Sequence, residues 1–384
     1  MVADAEACRR VIDRTYGVVA ILALVGCGRI GFSPSTSGSD SGGTGGVDAA
    51  PVPCSTDSDC GACQRCGSTG FCASEPINQV FVGHRSTCFL GADGSRWCAG
   101  QYVGLPGDAS PLYPQRIPGE DGWTSLSLGW ALSYGVRNGA LDTFGIGATP
   151  TEVGTDIAWA QIDVQLNDEC FRRSTGVLTC DAATVAGVWA DISTGYQYQC
   201  GVQTDGSLWC WGMDYSNALG LGVEPDGTVV ANPARVGLDN DWMEVHTGAS
   251  LSCARKTDGT IWCWGAPQFT GTNEVDPMGV PTEISADTDW TWLDVRWTHA
   301  CAGKPGGGAM CWGSDGNLDV IPGVGDASVP TDIGYTFDQF LMGGHHNCGE
   351  NGGAWTCWGW NMYSQLGTGD TTNRPTPGSS LCGR

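Results

Sequence analysis

The sequence predicts an all-β chain whose main part is a seven-bladed β-propeller, and three observations support this prediction. Cysteine pairs recur along the chain, and in five of the six pairs the second cysteine follows the first by ten residues. An Asp-Gly or Asn-Gly turn signal lies inside several of these units. An aromatic residue, an apolar residue and a glycine, spaced three positions apart, usually precede the unit. Small sheets repeated at this period cannot bury a core alone, and a closed ring gives each sheet two neighbours.

Residues 1–26 are predicted to be a bacterial lipoprotein signal peptide. The apolar run 17–26 follows three arginines and is too short to span a bilayer, but it has the length of a signal-peptide core. Residues 24–27 resemble the lipobox, in which small residues precede a lipidated cysteine, so Cys27 is the predicted lipidation site. An ordinary secretory signal with an incidental cysteine is the alternative.

Two short segments separate this leader from the repeats. Residues 27–53 are dominated by Gly, Ser, Thr and Pro, which cannot bury a core, so they are predicted to be a flexible linker. Residues 54–76 are predicted to be a disulfide module, with a metal or iron–sulfur site as the alternative for its Cys-x2-Cys-x2-Cys run. Its five cysteines leave one odd, so we expect pairing within a set of six: Cys54, Cys60, Cys63, Cys66, Cys72 and Cys382.

Residues 77–384 contain the repeats and are the predicted propeller. The region 133–145 has the hairpin pattern of the other units but carries Ser133 and Thr143 where cysteines would stand. Because both cysteines are missing together, the members of each remaining pair are predicted to be bonded to each other. The predicted disulfides are Cys88–Cys98, Cys170–Cys180, Cys200–Cys210, Cys253–Cys263, Cys301–Cys311 and Cys348–Cys357.

The stretch 200–212 shows why such a pair fits a disulfide. Cys200 and Cys210 are symmetric about Asp205, which predicts a hairpin with a three-residue loop that ends at Gly206 in the left-handed region. Directly opposed hairpin residues have Cα separations of about 4.5–5.5 Å, within the range of a disulfide. A zinc site needs four ligands with paired short spacings, which the repeats do not supply, so no metal is predicted.

The charge balance and the cysteine count limit the partners and the compartment. The formal net charge is −23, and the chain has only two lysines, Lys256 and Lys304. Nucleic-acid binding needs clustered Lys and Arg, so no nucleic-acid partner is predicted. Twenty cysteines suit an oxidising compartment. Together with the leader they predict an extracytoplasmic, lipid-anchored protein of the bacterial cell envelope, at the outer membrane or the cell surface; a secreted protein is the alternative.

Two segments carry a resemblance to a known family. Residues 211–222 and 358–369 resemble the repeat signature of the regulator of chromosome condensation family, which reads roughly Trp-Gly-x-Asn-x-x-Gly-Gln-Leu-Gly-x-Gly. Counting the region 133–145 with the six cysteine pairs gives seven units. The resemblance covers about residues 77–384 and is strongest in the fourth and seventh units, which begin at Cys200 and Cys348. In the third unit, that of Cys170, Asp181 and Ala182 replace Trp-Gly. The family fold is a seven-bladed propeller, so the resemblance implies the same number of blades as the repeats.

The phase of that family's repeats also predicts how the ring closes. The chain ends before another lead-in strand could form, and a spare lead-in lies at 77–83. We therefore expect residues 77–83 to complete the last blade, so that one sheet joins the two ends of the repeat region.

No catalytic constellation is identifiable in the sequence. Gly-x-Ser-x-Gly and phosphate-cradling motifs are absent, and the many aspartates are mostly turn formers. The family's best-known activity, guanine-nucleotide exchange on a small nuclear GTPase, is not expected, because that partner is absent outside a bacterial cell and no exchange motif matches. A non-catalytic scaffold without a cofactor is favoured, and a carbohydrate-active hydrolase or lyase on the same fold is the alternative.

Binding is therefore expected at a loop face of a monomeric propeller, with a protein or a glycan as the ligand and the membrane contacted through the lipid alone. His299 and His346 each lie two positions before the first cysteine of adjacent units and are candidates for one rim of the ring. Trp360 and Tyr363 are candidates from an aromatic cluster that also includes Trp358. Packing between blades is the alternative role for these histidines and tryptophans. The segments 213–241 and 266–289 are expected to be long contact loops.

Overall fold

Seven antiparallel sheets follow one another along the chain and close into a ring. In this computed structural model the described residues are 64–66, 72–74 and 77–381, without 106–109, 119–120, 146–147, 155–158, 167, 223–225, 274–276, 315–320, 323–324 and 379–380. The predicted signal peptide, the linker and Cys27 lie outside these residues, and so do four of the six cysteines predicted to pair among themselves: Cys54, Cys60, Cys63 and Cys382. No helix in the described part of the chain is long and apolar enough to cross a membrane.

The described residues of the predicted disulfide module form a separate two-stranded sheet, β1 (Gln64–Cys66) and β2 (Cys72–Ser74). The first three blades each have four strands. Blade 1 contains β3 (Gln79–Val82), β4 (Ser86–Leu90), β5 (Arg96–Gly100) and β6 (Gln115–Arg116). Blade 2 contains β7 (Trp123–Leu128), β8 (Leu132–Arg137), β9 (Ala140–Gly145) and β10 (Ala148–Gly154). Blade 3 contains β11 (Trp159–Gln165), β12 (Asp168–Arg173), β13 (Leu178–Cys180) and β14 (Ala183–Val185).

Blades 4 to 6 also have four strands, and blade 7 has three. Blade 4 contains β15 (Trp189–Thr194), β16 (Tyr198–Gln203), β17 (Leu208–Asp214) and β18 (Thr228–Arg235). Blade 5 contains β19 (Trp242–Thr247), β20 (Leu251–Lys256), β21 (Ile261–Gly265) and β22 (Met278–Ser285), with a 3-10 helix, Pro267–Phe269, after β21. Blade 6 contains β23 (Trp292–Arg296), β24 (His299–Gly303), β25 (Gly308–Gly313) and β26 (Ala327–Thr336). Blade 7 contains β27 (Gln339–Met342), β28 (His346–Asn351) and β29 (Ala354–Gly359).

The predicted hairpin and its disulfide are confirmed. Cys200 lies directly opposite Cys210 in the β16–β17 pairing, and Gly206 has a φ of 80° at the end of the three-residue loop. The six pairs predicted from the sequence are all joined, with Cα separations of 4.1 to 4.2 Å. Each disulfide is buried and connects the second and third strands of its blade. The sulfur atoms therefore belong to the core that neighbouring blades share.

The unit without cysteines is shifted by one residue from its predicted alignment. Tyr134, not Ser133, lies opposite Thr143 in the β8–β9 pairing. Leu126 of the first strand pairs with Gly135, as Ile192 pairs with Gly201 in blade 4. Tyr134 and Thr143 therefore occupy the two cysteine positions, and the buried phenol ring of Tyr134 packs edge-on against Phe171 of blade 3.

The predicted ring closure is wrong. Strand β3 does not complete blade 7 but pairs with β4 as the first strand of blade 1. The ring closes between sheets: the Gly344 backbone N–H donates to the Gly83 carbonyl at 3.1 Å, as the Tyr196 N–H donates to the Gly248 carbonyl at 3.0 Å between blades 4 and 5. The closing contact is thus an ordinary contact between adjacent blades.

Leu381, the last described residue, strengthens this closure. The backbone N–H of Leu381 donates to the Trp355 carbonyl at 2.9 Å, and the buried Leu381 side chain packs with Val80 and Phe89 of blade 1. A hydrogen bond from the Thr87 hydroxyl to the Gln365 carbonyl, 2.6 Å long, ties the same two blades. The ring is therefore closed by packing between two sheets, and not by a sheet that combines residues 77–83 with the strands of blade 7.

The two segments expected to be long loops are only partly loops. Strand β18 lies within 213–241 and strand β22 lies within 266–289, each as the outer strand of its blade. Side chains along β18 are half-buried or exposed, so its polar and small residues gave no strand pattern in the sequence. The true connections are the shorter segments 215–227 and 266–277.

Candidate functional site

Antiparallel strands place two sets of turns on one face of the ring. The turn from the first to the second strand of each blade lies on the same face as the connection from the third to the fourth strand. This face carries a continuous group of aromatic rings, which we call the aromatic platform. Its members are Trp130, Tyr196, Tyr215, Trp297, Trp360 and Tyr363, with the imidazoles of His84 and His345.

The rings of the platform form an unbroken series of contacts from blade 4 to blade 2. Tyr215 stacks on Tyr196 with 6.1 Å between ring centroids, and Trp297 meets Tyr196 edge-on at 6.2 Å. Trp297 then reaches His84 at 5.6 Å and His345 at 5.7 Å. His84 also contacts Trp130, with 5.0 Å between ring centroids. On a second branch, His345 contacts Trp360, which in turn contacts Tyr363.

Trp297 connects opposite sides of the ring. It belongs to blade 6 but contacts rings of blades 4, 7 and 1. Its φ is 51°, in the left-handed region that a bulky side chain rarely adopts and that costs of order 1–3 kcal/mol. The Trp297 carbonyl accepts a hydrogen bond from the Ala249 backbone N–H at 2.6 Å, so the contact with blade 5 holds this turn in place.

A guanidinium group is built into the platform. The Arg85 guanidinium carbon lies 4.5 Å from the centre of the Trp130 ring and 4.7 Å from the centre of the Tyr363 ring. Such cation–π contacts contribute about 0.5–1 kcal/mol each when exposed and more when water is excluded. The faces of these rings are therefore already used to bind a cation.

The imidazoles of the platform are neutral at neutral pH. Burial lowers the pKa of His345 to about 4, with further lowering by His299 and Arg85. Burial likewise holds the pKa of His84 well below its usual value, with His345 and Arg85 adding to the effect. The only positive charge between these rings at neutral pH is therefore that of Arg85 among the described residues.

One carboxylate of blade 3, that of Asp168, lies beside the Tyr196 end of the platform, whereas Glu169 accepts a hydrogen bond of 3.1 Å from the Tyr134 hydroxyl of blade 2. Asp168 and Glu169 begin β12, and Asp181 follows β13 in a tight turn. Asp168 Oδ2 accepts a hydrogen bond of 3.0 Å from the backbone N–H of Gln197, the residue that follows Tyr196. This hydrogen bond fixes the Asp168 carboxylate next to the aromatic platform.

These carboxylates crowd one another. Burial raises the pKa of Asp168 to about 7 against the lowering by the Gln197 hydrogen bond, and the charges of Asp181 and Glu169 add to the rise. Burial also raises the pKa values of Glu169 and Asp181. Within the described part of the chain, none of the three carboxylates forms an ion pair with Lys or Arg.

A cavity of about 100 Å³ lies under the platform, between the first strands of the blades, and is lined by both Trp297 and His84. Asp294 lines it and lies 3.5 Å from His246 and 3.7 Å from the Arg296 guanidinium. Burial alone would raise the pKa of Asp294, but Arg296 and His246 outweigh it and lower that pKa. The charges of Asp294, Arg296 and His246 offset one another, so we assign these residues a structural role in which they hold the inner strands together.

The structure separates the four binding candidates from the sequence into two groups. Trp360 and Tyr363 are half-buried members of the platform, with 5.1 Å between ring centroids. His299 and His346 are 1% and 0% exposed and lie inside the ring, not on its rim. Trp358 is fully buried between blades, as its alternative role implied.

His346 has a packing role at the closing contact. Its Nε2 lies 2.7 Å from the Thr87 hydroxyl, which donates its own hydrogen to the Gln365 carbonyl, so the imidazole is the donor to Thr87. Burial, with His345, lowers the pKa of His346 to about 3, which fits this neutral donor. Tyr198 occupies the same repeat position and donates to the Leu251 carbonyl of the next blade at 2.8 Å.

Sequence reasoning missed most of the platform, although a positional signal exists. His84, Trp130 and Tyr196 each follow the lead-in glycine of their unit directly. The lead-in pattern predicts architecture alone and assigns no role to the residue that follows its glycine. Trp297 and Tyr215 give no such signal, because one lacks the glycine and the other lies in a connection of variable length.

In the described residues, no group of three or more His, Cys, Asp or Glu side chains is arranged to hold a metal ion.

No protein-family model matches the sequence, and no curated protein matches it at a significant level. Solved structures do match. Prp20p of Saccharomyces cerevisiae superposes with a TM-score of 0.59 at 18% identity over 68% of this chain and 77% of that one. This is the fold of the regulator of chromosome condensation propeller.

Two further structures support the same fold. Yeast RCC1 (Prp20) bound to Kap60 gives a TM-score of 0.60 at 18% identity, over 70% of this chain and 78% of that one. The entire ectodomain of the receptor kinase CR4 from Physcomitrella patens gives 0.50 at 18% identity, over 74% of each chain. The all-β, seven-bladed architecture predicted from the repeats is confirmed.

Proposed function

We propose that this chain is a non-catalytic, lipid-tethered recognition scaffold of the bacterial cell envelope that binds a protein or a glycan through the aromatic platform. The observation that carries the proposal is the platform itself: partly buried or exposed aromatic rings from four blades, together with the buried His84 of a fifth, meet on one face. Half-exposed Trp and Tyr rings are typical anchors of binding sites because they offer large contact areas at little entropic cost.

The structural neighbours fit a binding scaffold. The yeast protein is described with binding properties to Gsp1p and histones and in a complex with Kap60, and the plant structure is a receptor ectodomain. A rigid ring that presents loops on its faces suits such roles. The disulfides in six blades and the predicted leader, residues 1–26, support an oxidising, extracytoplasmic location.

Site-specific photocrosslinking tests the platform as the binding face. A photoreactive residue at Tyr196, which is 38% exposed, should give defined adducts in intact cells that make the protein. The matched control places the same residue at Asn351, which is exposed at the tip of the blade 7 hairpin on the opposite face. Adducts of equal yield from both positions, or from Asn351 alone, would contradict the proposal.

The tether is tested separately. Cys27→Ser should release the protein from the membrane fraction and abolish incorporation of labelled fatty acid, because the thiol is the predicted acceptor. Unchanged lipid labelling and membrane association would rule out Cys27 as the anchor while leaving the binding face in place.

A carbohydrate-active enzyme on the same fold is the second candidate, and one observation favours it. A carboxyl group with a pKa of about 7, as burial gives Asp168, has the protonation state that a general acid needs. Turnover of oligosaccharides by the full chain that Asp168→Asn abolishes would support the enzyme. Stoichiometric binding without products would support the scaffold.

A further inference from the structure

We propose that the Tyr196 end of the platform binds an arginine or lysine side chain of a partner protein. This inference rests on the proposed function, because it names the kind of ligand that the platform recognises. The site consists of the rings of Tyr196, Tyr215 and Trp297 and the neighbouring carboxylate of Asp168.

The chain builds the same combination twice with its two lysines. Lys256 Nζ lies 2.6 Å from Asp239 and 3.1 Å from Asp241, and 4.8 Å above the rings of Trp242 and Trp262. This site places the ammonium group between a pair of carboxylates and against indole rings.

The second lysine repeats the arrangement in the next blade. Lys304 Nζ lies 2.6 Å from Asp287 and 2.7 Å from Asp289, and 4.5 Å above the ring of Trp290. Two carboxylates together with an aromatic face therefore form this chain's own cation site, and the lysine completes it.

The Tyr196 end of the platform has the rings and the Asp168 carboxylate, but none of the described cationic side chains lies there. In the described residues, no Lys or Arg lies over Tyr196, Tyr215 or Trp297, in contrast to the Arg85 contacts at the other end of the platform. The carboxylate of Asp168 is likewise without a cationic partner, and its neighbours Asp181 and Glu169 repel its charge. An incoming cation would relieve this repulsion and stack on the exposed ring of Tyr196.

The shape of the ring leaves this end accessible. The connection from the third to the fourth strand is only 146–147 in blade 2 and 181–182 in blade 3, whereas it spans 215–227 in blade 4 and 314–326 in blade 6. Neither blade 2 nor blade 3 therefore carries a long connection beside these carboxylates. Tyr196 keeps 38% of its surface exposed next to them.

The overall charge favours the same partner. The formal net charge of −23 attracts basic proteins and raises their rate of encounter, which is an effect that salt weakens. A neutral glycan gains nothing from this net charge, and its hydroxyl groups can donate hydrogen bonds to Asp168 but do not offset the repulsion from Asp181 and Glu169. The observations therefore favour a basic protein segment over a glycan at this end of the platform.

Peptide binding to the full-length protein tests the inference. Three soluble nonapeptides of otherwise identical sequence carry arginine, the neutral isostere citrulline, or glutamate at the same positions, and binding is followed by calorimetry at physiological ionic strength. We expect the arginine peptide to bind about tenfold or more tightly than the citrulline peptide, because the charge supplies both the carboxylate contact and the cation–π contact. No binding of the glutamate peptide is expected.

Two variants localise the effect. Asp168→Asn should weaken binding of the arginine peptide about tenfold, and Tyr196→Ala should weaken it severalfold. Asparagine still accepts the Gln197 hydrogen bond, and Tyr196 is exposed, so both variants should keep the native near-ultraviolet circular dichroism. The matched control, Asp332→Asn, removes the same charge from the exposed outer strand β26 and should leave the affinity unchanged.

The outcomes separate this inference from the proposed function. Equal affinity for the arginine and citrulline peptides, or equal weakening by Asp168→Asn and Asp332→Asn, would overturn the cation site. Binding of neutral oligosaccharides that Tyr196→Ala weakens, without binding of the arginine peptide, would also overturn it but would leave the platform as the recognition face. If a photoreactive residue at Tyr196 gave no adducts, that result would count against both the cation site and the platform as the recognition face.

Discussion

The closing contact between blades 7 and 1 can be tested at one glycine. A Cβ atom added at Gly343 would lie 2.6 Å from Val82 Cγ1 and 2.7 Å from the His346 carbonyl oxygen, and closer still to the Gly83 carbonyl oxygen. The last of these atoms also accepts the hydrogen bond from Gly344 that joins the two blades. Gly343→Ala therefore has to push the first strands of blades 7 and 1 apart.

The size of the effect follows from two opposing terms. Overpacking of this kind costs about 1–3 kcal/mol, and removal of a glycine stabilises by about 0.4–1 kcal/mol through the unfolded chain. The expected net loss in the free energy of unfolding is about 1–2 kcal/mol, which lowers the urea midpoint by about 0.5 M for a slope near 3 kcal/mol per molar. Equilibrium unfolding followed by tryptophan fluorescence measures this loss.

Two further alanine variants make the measurement specific. Gly308→Ala places a Cβ in open space within strand β25 and should not lower the midpoint. Gly248→Ala would crowd the Trp297 carbonyl between blades 5 and 6, so it should cost about as much as Gly343→Ala if closure is an ordinary contact between blades. Wild-type stability of Gly343→Ala, or a cost unrelated to that of Gly248→Ala, would refute this account of closure.

Three other outcomes follow from the structure. Replacing Cys200 and Cys210 together by serine should lower the free energy of unfolding by about 2–3 kcal/mol in urea melts, and an unchanged midpoint would show that the hairpin disulfide does not restrain the unfolded chain. Tyr198→Phe removes the buried hydroxyl that donates to the Leu251 carbonyl and should cost about 1 kcal/mol, with no cost counting against its role between blades. Asp168 has a folded pKa of about 7, above its unfolded value near 4, so its ionisation destabilises the fold increasingly from pH 4 to pH 7. Asp168→Asn should therefore gain stability over the wild type across that range in urea melts, and a constant difference would contradict the raised pKa.

The sequence predicted those parts of the fold that a single unit determines. The Cys200–Cys210 register depends only on a hairpin whose loop length and turn glycine are local, so it could be derived from spacing. The number of blades followed from counting the same local pattern. In blade 2, where the cysteines are absent, that pattern weakens, and the alignment slipped by one residue to Ser133 instead of Tyr134.

Closure was mispredicted because it depends on two units far apart in the chain. The lead-in 77–83 has the same composition whether it starts blade 1 or completes blade 7, and the local pattern cannot distinguish the two. The structure shows what decides: β3 pairs with β4, and Leu381 fills the core that blade 7 shares with blade 1. The latter contact joins residues at opposite ends of the repeat region.

Apart from Trp360 and Tyr363, the residues of the candidate site could not be predicted, for the same reason. His84, Tyr196 and Trp297 are far apart in the chain. They meet only because closure of the ring brings blades 1, 4 and 6 around one central opening, the mouth of the ring on the face of the platform. The position after the lead-in glycine faces this mouth, where packing between blades no longer restricts the side chain: the chain has Trp130 there in one unit and Ala249 in another. Packing requirements therefore fix the glycine and leave the next residue free for binding. A ring of this kind can change its ligand by substitutions at these positions without changing its hairpins.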